Sequence, residues 1–380
     1  NKLGLINTDF IRTTEERHKS TVSKVWDLLL DKDEIYLGEY EGWYSIRDES
    51  FISENEIKID KNNNRIGPSK DILKKIKEPS YFFRLSKWQK PLLEFYKKNE
   101  NFVQPKSRYN EVKKFVESGL EDLSISRTSF SWGIKVPNNN NHVIYVWLDA
   151  LFNYISILDK DKEQNSLFWP ADIHIVGKDI LRFHAVYWPA MLISAGMKVP
   201  KKVFGHGFLT REGQKMGKSL GNVLDPNLLL TKYGKEAVRW YLLKDISLGS
   251  DGDFQNRRFV DIINNDLANT IGNLLNRTSS MSRKWFKNMV PNKDKLSNDD
   301  FLESYSTKIV KNYIKFFDLY EIDLAANEIL DFAIKTNLYL NEKQPWILIK
   351  DNNNFTLVSN IIYNVLESTR IIGLLMFPLL

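Results

Sequence analysis

Apolar and polar positions change period several times along the chain, and each change marks an element. Behind Thr13 and Thr14, either of which can cap a helix, Val22, Val25, Trp26 and Leu29 recur at helical spacing. From residue 35 to 51 aromatics alternate with small or charged residues, the pattern of a half-exposed antiparallel pair. A short strand over 81–86 ends at Ser86, which is placed to cap a helix over 87–98; another helix, 110–118, stops at Gly119. Trp88, Phe95 and Phe115 on these helices read as core, because aromatics at helical spacing pack inward. Residues 138–141 form a polar connector and 142–147 a strand, and 146–155 open a helix. Residues 173–177 read as a buried parallel-type strand running into a helix that Asp179 can cap.

Residues 203–209 alternate bulky and small, as a half-buried strand does, and Arg211-Glu212-Gly213 then predicts a tight turn with Gly213 at positive φ. Asp225-Pro226 starts a helix and Tyr233-Gly234 breaks it; a second covers 237–243. From Phe259 the chain reads as helices almost to its end. Phe259, Ile263, Leu267, Ile271 and Leu274 form one apolar stripe, Ile309, Tyr313, Phe316 and Tyr320 a second, and Leu357, Ile361 and Val365 a third.

Composition narrows the chemistry. At 380 residues the chain holds two to four units, and 42% hydrophobic with 13% aromatic residues supplies packed cores. A net charge of +6 permits a nucleic-acid partner without requiring one. There are no cysteines, which excludes disulfides and thiolate zinc sites, and the five histidines lack metal-ligand spacing. No apolar run approaches the roughly 18 to 20 residues that span a bilayer.

Four stretches carry candidate chemistry. Lys215 and Lys218 lie three residues apart on a loop of small, flexible residues. Such lysines can neutralise charge on a departing pyrophosphate, although the same string also describes a solvated basic loop. Trp147, Ala150 and Tyr154 share a helix face. That face would hold a thioether through sulfur–ring contacts worth up to about 1 kcal/mol, or would simply pack as core. His184 and Trp188 are four apart, with Ile180 one turn before. They are core residues or, at the carboxyl ends of parallel strands, ligand-facing ones. Asn265, Asn269, Asn273 and Arg277 form a polar row, either the wet side of a bundle or a reader of base edges. Trp346, behind Pro345, packs inward or stacks on an unpaired base.

Lys215-Met216-Gly217-Lys218-Ser219 closely resembles the Lys-Met-Ser-Lys-Ser loop of class I aminoacyl-tRNA synthetases. Its flanks, Gly205-His206-Gly207-Phe208 and Leu220-Gly221-Asn222, look like those of the methionyl-tRNA synthetase family. Gly217 stands where that family usually has serine, which removes a hydroxyl. The stretch 146–155 resembles the family's Trp-Leu-Asp-Ala-Pro-x-x-Tyr, with Leu151 in place of proline. Residues 177–191 are similar to its Gly-Lys-Asp-Ile…Phe-His…Trp-Pro-Ala-Met segment.

The resemblance implies a ligase that activates L-methionine with ATP and Mg²⁺ and transfers it to tRNA(Met), working as a cytoplasmic monomer, with an organellar origin left open. It implies catalytic roles for Lys215, Lys218 and Ser219, and ATP contacts from these lysines, His206, Gly207, Gly177 and Asp179. Methionine would be held by Trp147, Ala150, Tyr154, Ile180, His184 and Trp188, around one cavity within reach of Lys218. The anticodon would be gripped by Asn273, Arg277 and Trp346, with Pro345 as support. The fold implied is α/β: a Rossmann-type parallel-sheet catalytic domain, incomplete at its N-terminus, followed by an all-α bundle. Its parts are 1–33 and 125–205 (catalytic domain), 34–124 (inserted connective peptide), 206–256 (signature loop and stem-contact fold) and 257–380 (anticodon-binding helices).

In the inserted peptide Ser45 and Asp48 occupy the places of a zinc knuckle's Cys-x-x-Cys. A serine hydroxyl is a poor zinc ligand, so no zinc or other metal site is expected. The His-Ile-Gly-His segment that precedes this region in the family has no counterpart here, which suggests a fragment. The competing readings are another class I synthetase for an apolar amino acid, or a non-catalytic tRNA-binding relative. The first of these usually carries a much larger editing insertion.

Overall fold

The structure is a computed structural model that describes all residues except 1, 48–49, 53–55, 69, 159–166, 218–219 and 295–298. It is a mixed α/β chain whose C-terminal region is helical, and it divides into two compact units. Asn7–Gly205 form one; His206–Leu380 with Asn1–Ile6 form the other.

The first unit opens with the helix Glu16–Asp31, which buries His18, Thr21, Val22, Val25, Trp26 and Leu29. Neither threonine caps it. Glu15 holds the cap position, and its carboxylate accepts from the Arg12 N–H and from Arg17 Nε, both at 2.8 Å. A charged acceptor thus ties down the approach to the helix in place of a hydroxyl cap.

The expected antiparallel pair is Ile35–Ser45 against Lys74–Phe83, in register from Ile35↔Phe83 to Tyr44↔Lys74. Ser50–Ile52 and Leu123–Ser124 complete a four-stranded sheet. Ser86 lies inside the 3₁₀ turn Leu85–Trp88 and caps nothing; its N–H and hydroxyl both donate to Asp122 Oδ1, at 3.1 and 2.6 Å. The helices Gln89–Lys98 and Lys106–Glu117 follow. The second starts earlier than its apolar pattern suggested, directly after Pro105.

A small sheet places Val203–His206 between His174–Gly177 and Val103–Gln104, the last pair parallel. The expectation of a fully buried strand at 173–177 fails at Ile175, which is 56% exposed. Among the described residues that strand is the sheet's edge, so only its inner face is covered.

In the second unit Leu209–Arg211 pairs in parallel with Gly252–Phe254 and antiparallel with Gln214–Lys215. The single strand expected over 203–209 therefore splits at Gly207-Phe208, each half joining a different sheet. Asp225 caps the helix Pro226–Tyr233 by accepting from the Asn227 N–H, and Gly234 ends it at φ 82°. The helix Lys235–Lys244 leads toward the bundle. There Asn256–Ile262 runs through a π-helical stretch, Ile263–Gly272, into Asn273–Phe286. The bundle continues through Phe301–Asp318, Ile322–Lys343, Pro345–Leu348 and Phe355–Met376.

Its core gathers Leu274, Ile309, Ile329, Phe332, Ile361 and Val365. The last apolar stripe is shifted from the expected one. Leu357 is exposed, and Val358 takes its place beside Ile361, Ile362 and Val365. No helix among the described residues is long and apolar enough to cross a membrane.

One buried charge joins the helix Lys235–Lys244 to the π-helical stretch. Asp266, 6% exposed, accepts from Trp240 Nε1 at 3.0 Å and lies 3.5 Å from Lys244 Nζ. Removing it leaves an indole N–H and an ammonium without their acceptor. Asp266→Ala is therefore expected to cost about 2 kcal/mol, read as a lowered urea midpoint with an unchanged m-value.

Candidate active site and nucleic-acid interface

Strand Asn139–Ile144 delivers the chain to Tyr145, whose carbonyl accepts from the N–H groups of Leu148 and Asp149 and so starts the helix Val146–Leu151. The strand thus begins earlier than expected, taking in the polar connector, and 145–147 belong to the helix start. A single helix through Tyr154 does not form. The turn breaks at Phe152, the Asn153 amide donates to the Ala150 carbonyl, and a second helix, Asn153–Ser156, follows. Leu148, Leu151 and Phe152 are buried in the unit's core, whereas Trp147, Ala150 and Tyr154 remain half-buried.

The facing wall comes from the segment after His174–Gly177. A 3₁₀ turn, Lys178–Ile180, leads into a π-helical stretch, Phe183–Tyr187, and then the helix Trp188–Ser194. At the widened turn the Trp188 N–H reaches five residues back to the Phe183 carbonyl. Asp179 makes no cap here and is exposed, because it lies within the turn rather than at its entry.

The two walls meet. Tyr154 Oη lies 2.8 Å from His184 Nε2, and His184 Nδ1 lies 3.0 Å from the Ile180 carbonyl. A carbonyl only accepts, so Nδ1 carries the proton and Tyr154 donates to Nε2. The Tyr154 ring sits 4.1 Å from that of His174 and 6.1 Å from that of Trp188. Trp147 stacks on Phe183 at 3.6 Å, one residue from His184. Tyr154, His184, Trp188 and Ile180 thus form one cluster, with Trp147 joined through Phe183.

Three residues of this cluster had no distinguishing signal in the sequence: His174, Trp169 and Phe183. Trp188 Nε1 donates to His174 Nε2 at 3.3 Å, and Trp169 lies 6.2 Å from both rings. Tyr154, Trp169 and His174 also line a cleft of about 360 Å³ with Ile173 and Ile175. Burial, reinforced by His184, holds the His174 imidazole down to about 3; burial also lowers His184 and raises the Tyr154 phenol. The cluster is therefore a neutral, polarizable surface with fixed hydrogen-bond directions.

In the other unit the signature loop hangs from a short sheet. Gly207 donates to the Leu248 carbonyl at 3.2 Å, and a Cβ at this position would lie 2.1 Å from the Ser250 carbonyl oxygen. His206 Nδ1 lies 2.8 Å from the Gly207 carbonyl. Glu212 and Gly213 both take positive φ, 50° and 75°, so the expected tight turn forms. Asp253 receives the Gly213 N–H and the Thr210 hydroxyl, at 2.8 and 2.7 Å. Gln255, with these two donors, lowers its carboxyl. Lys215 is exposed, its ammonium 5.8 Å from the Phe208 ring. Asn222 accepts from the Gly217 N–H and donates to the Lys215 carbonyl, at 2.9 and 3.1 Å. Lys218 and Ser219 lie outside the described residues.

The polar row on the bundle has a partner. Arg277 donates to Asn341 Oδ1 at 2.7 Å and to Asn337 Oδ1 at 3.5 Å, and its guanidinium lies 5.6 Å from the Trp346 ring. Trp346 is 38% exposed on a turn anchored by the buried Pro345. Asn273, one turn before Arg277, is also exposed. Asn337 and Asn341 were missed because on the sequence they are indistinguishable from any solvated helix face.

Among the described residues no group of three or more metal-ligating side chains is placed to hold an ion. Ser45 instead donates to Asp71 Oδ2 at 2.7 Å, and Asp48 lies outside the described residues.

Residues 1–65 and 60–279 match the family model of tRNA synthetases class I (M). The chain belongs to that family. It is 45% identical to a methionine–tRNA ligase of Listeria monocytogenes, over all of this chain and 59% of that protein. The chain thus spans less than two thirds of that relative. It is 48% identical to the methionine–tRNA ligase of Rickettsia conorii, over 99% of this chain and 74% of that protein. A solved Mycobacterium tuberculosis methionyl-tRNA synthetase in complex with methionyl-adenylate superposes with a TM-score of 0.94 at 40% identity, over all of this chain and 75% of that one. The Rossmann-type class I architecture follows from that likeness.

Two outcomes are expected for this synthetase-family chain. His174 stays neutral in the fold but takes up a proton near 6.5 when unfolded. Its contribution is complete above that pH and is lost as pH falls toward 3. Stability at pH 5 should lie about 2 kcal/mol below that at pH 7.5 from this group, and His174→Gln should flatten the pH dependence of the urea midpoint. Gly207→Ala, forced against backbone, should cost about 3 kcal/mol, read in the same assay.

Proposed function

We propose that the chain belongs to a methionine–tRNA ligase, which condenses L-methionine with ATP to methionyl-adenylate and transfers it to tRNA(Met). The observation that carries the reading is the Tyr154–His184–Trp188 cluster in a chain of this family. Neutral imidazoles and aromatic faces suit a thioether, because soft sulfur gains from ring contacts and there is no buried charge to desolvate. Trp147, Ala150 and Ile180 complete this reading of the methionine site.

In the activation step the methionine carboxylate attacks the α-phosphorus in line and pyrophosphate leaves. Mg²⁺, bound with ATP, would neutralise the phosphates. Lys215 and Lys218 would take up the charge that grows on the leaving group, and Ser219 would orient the loop's end. His206 and Gly207, Gly177 and Asp179 are assigned to ATP. In the transfer step the 2′-hydroxyl of the terminal adenosine attacks the adenylate carbonyl and AMP leaves. Positioning and electrostatics supply most of the rate in both steps.

Asn273, Arg277 and Trp346 on Pro345 are assigned to the anticodon. An exposed indole beside a guanidinium offers stacking and paired hydrogen bonds to unstacked bases. In this reading 34–124 are an inserted connective peptide, without zinc, between catalytic segments 1–33 and 125–205. Residues 206–256 form the signature loop and stem-contact fold, and 257–380 the anticodon-binding helices. The working form is taken as a cytoplasmic monomer.

Lys218→Ala in the full-length enzyme tests the reading. Methionine-dependent ATP–pyrophosphate exchange should fall on the order of a hundredfold, as for loss of a transition-state charge contact, while methionine affinity stays within about twofold. An unchanged exchange rate would overturn the role of the loop.

A further inference from the structure

The two short helices carrying Trp147, Ala150 and Tyr154 are too brief to hold their own geometry. Val146–Leu151 has six residues and Asn153–Ser156 four. Isolated turns of this length are unstable in water, so something outside them must fix their spacing. Core packing of Leu148, Leu151 and Phe152 anchors their inner side. The Asn153 amide links them from within, and among the described contacts one side chain from outside bonds to both.

That side chain is His18, fully buried on the helix Glu16–Asp31. Its Nε2 lies 2.6 Å from Asp149 Oδ1, on the first short helix, and its Nδ1 lies 3.0 Å from Ser156 Oγ, on the second. The Ser156 hydroxyl gives its own proton to the Phe152 carbonyl at 2.7 Å, so its oxygen is free to accept. Asp149 as a carboxylate can only accept. Nε2 therefore donates to Asp149, and Nδ1 and the Ser156 hydroxyl complete the second bond. Ser, His and Asp stand in line here, as they do around an activated nucleophile. Ser156 is fully buried and its proton is already directed at a backbone carbonyl, so the arrangement is a bracket.

We propose that His18 is a positioning residue for the amino-acid site: it bridges the break at Phe152 and sets the distance between the Trp147–Ala150 wall and Tyr154. This rests on the methionine reading given above. Asp149 lies between Trp147 and Ala150 in sequence, and Tyr154 is two residues from Ser156. A shift of either helix would move the Tyr154 hydroxyl relative to His184 Nε2 and open the cluster. Side chains that must be held within a fraction of an ångström are commonly locked in this way by hydrogen bonds from behind. Neither short helix carries a residue assigned here to ATP, so the effect should fall on methionine alone.

The test uses the full-length enzyme in ATP–pyrophosphate exchange with methionine and ATP varied separately, alongside thermal melts. His18→Leu removes both bonds and keeps much of the volume; His18→Gln keeps a donor toward Asp149. Leu29→Ala, three turns further along the same helix in the same core, is the purely structural control. The expected result is a methionine KM raised about tenfold by His18→Leu, equivalent to about 1.4 kcal/mol, and less by His18→Gln, with the ATP KM within about twofold in both. Leu29→Ala should lower Tm and leave both KM values alone. A methionine KM within twofold of wild type in His18→Gln and His18→Leu overturns the proposal. So does a parallel rise in the ATP KM, or an equal methionine effect from Leu29→Ala. If His18→Leu does not fold, His18→Gln and Asp149→Asn decide on the same criteria. Wild-type enzyme that exchanges with another amino acid and not with methionine would overturn the underlying reading instead, and the same variants assayed with that amino acid would still judge the bracket.

Discussion

Tyr154 donates its phenol proton to His184 Nε2, and that bond requires His184 to keep its remaining proton on Nδ1, facing the Ile180 carbonyl. A second proton on His184 would turn that bond around, with Nε2 donating to the phenol oxygen. Burial works against that second proton, at both His184 and His174. Trp188 makes a stricter demand on His174, because an indole N–H only donates and His174 Nε2 must stay unprotonated to accept it. The bond that orients Trp188 and His174 would be lost if the wall became charged. The surface presented is apolar in bulk yet fixed in direction, which suits recognition of a soft, uncharged side chain.

How this wall is assembled explains what could be read from the sequence. Helical spacing put Trp147, Ala150 and Tyr154 on one face, and all three are half-buried although the helix itself breaks at Phe152. Periodicity reports which residues turn inward, and the break leaves that division intact. The π-helical stretch at Phe183–Tyr187 could not be foreseen, because an extra residue in a turn leaves no compositional trace. His174 and Trp169 were invisible for another reason. Their role depends on contacts across long sequence separations, such as Trp188 to His174, which no local pattern encodes.

Caps were the least legible feature. Thr13, Thr14, Ser86 and Asp179 each fit a capping pattern, and none caps. Ser86 shows why. Its hydroxyl and N–H are claimed by Asp122, a residue far along the chain whose carboxylate outbids the free helix end. Gly213 and Gly234, by contrast, were legible, because positive φ is a local demand that few other residues meet.

Gly217 bears on the signature loop. With no side chain it contributes no hydroxyl, but its N–H is held by the Asn222 amide, which also grips the Lys215 carbonyl. One side chain thereby fastens the backbone at both the first lysine and the glycine, a reciprocal pairing that a carboxylate could not reproduce, since both a donor and an acceptor are used. The strand before the loop is fixed independently by Asp253 through Thr210 and Gly213. The restraint lies on the backbone on both sides of Met216, and the ammonium of Lys215 remains exposed. In the proposed role, an anchored main chain with an exposed ammonium would let Lys215 follow a moving phosphate charge at little cost in order, because the long side chain adjusts while the backbone stays in place. Loss of the serine hydroxyl at 217 therefore removes one potential donor without removing the framework that holds Lys215.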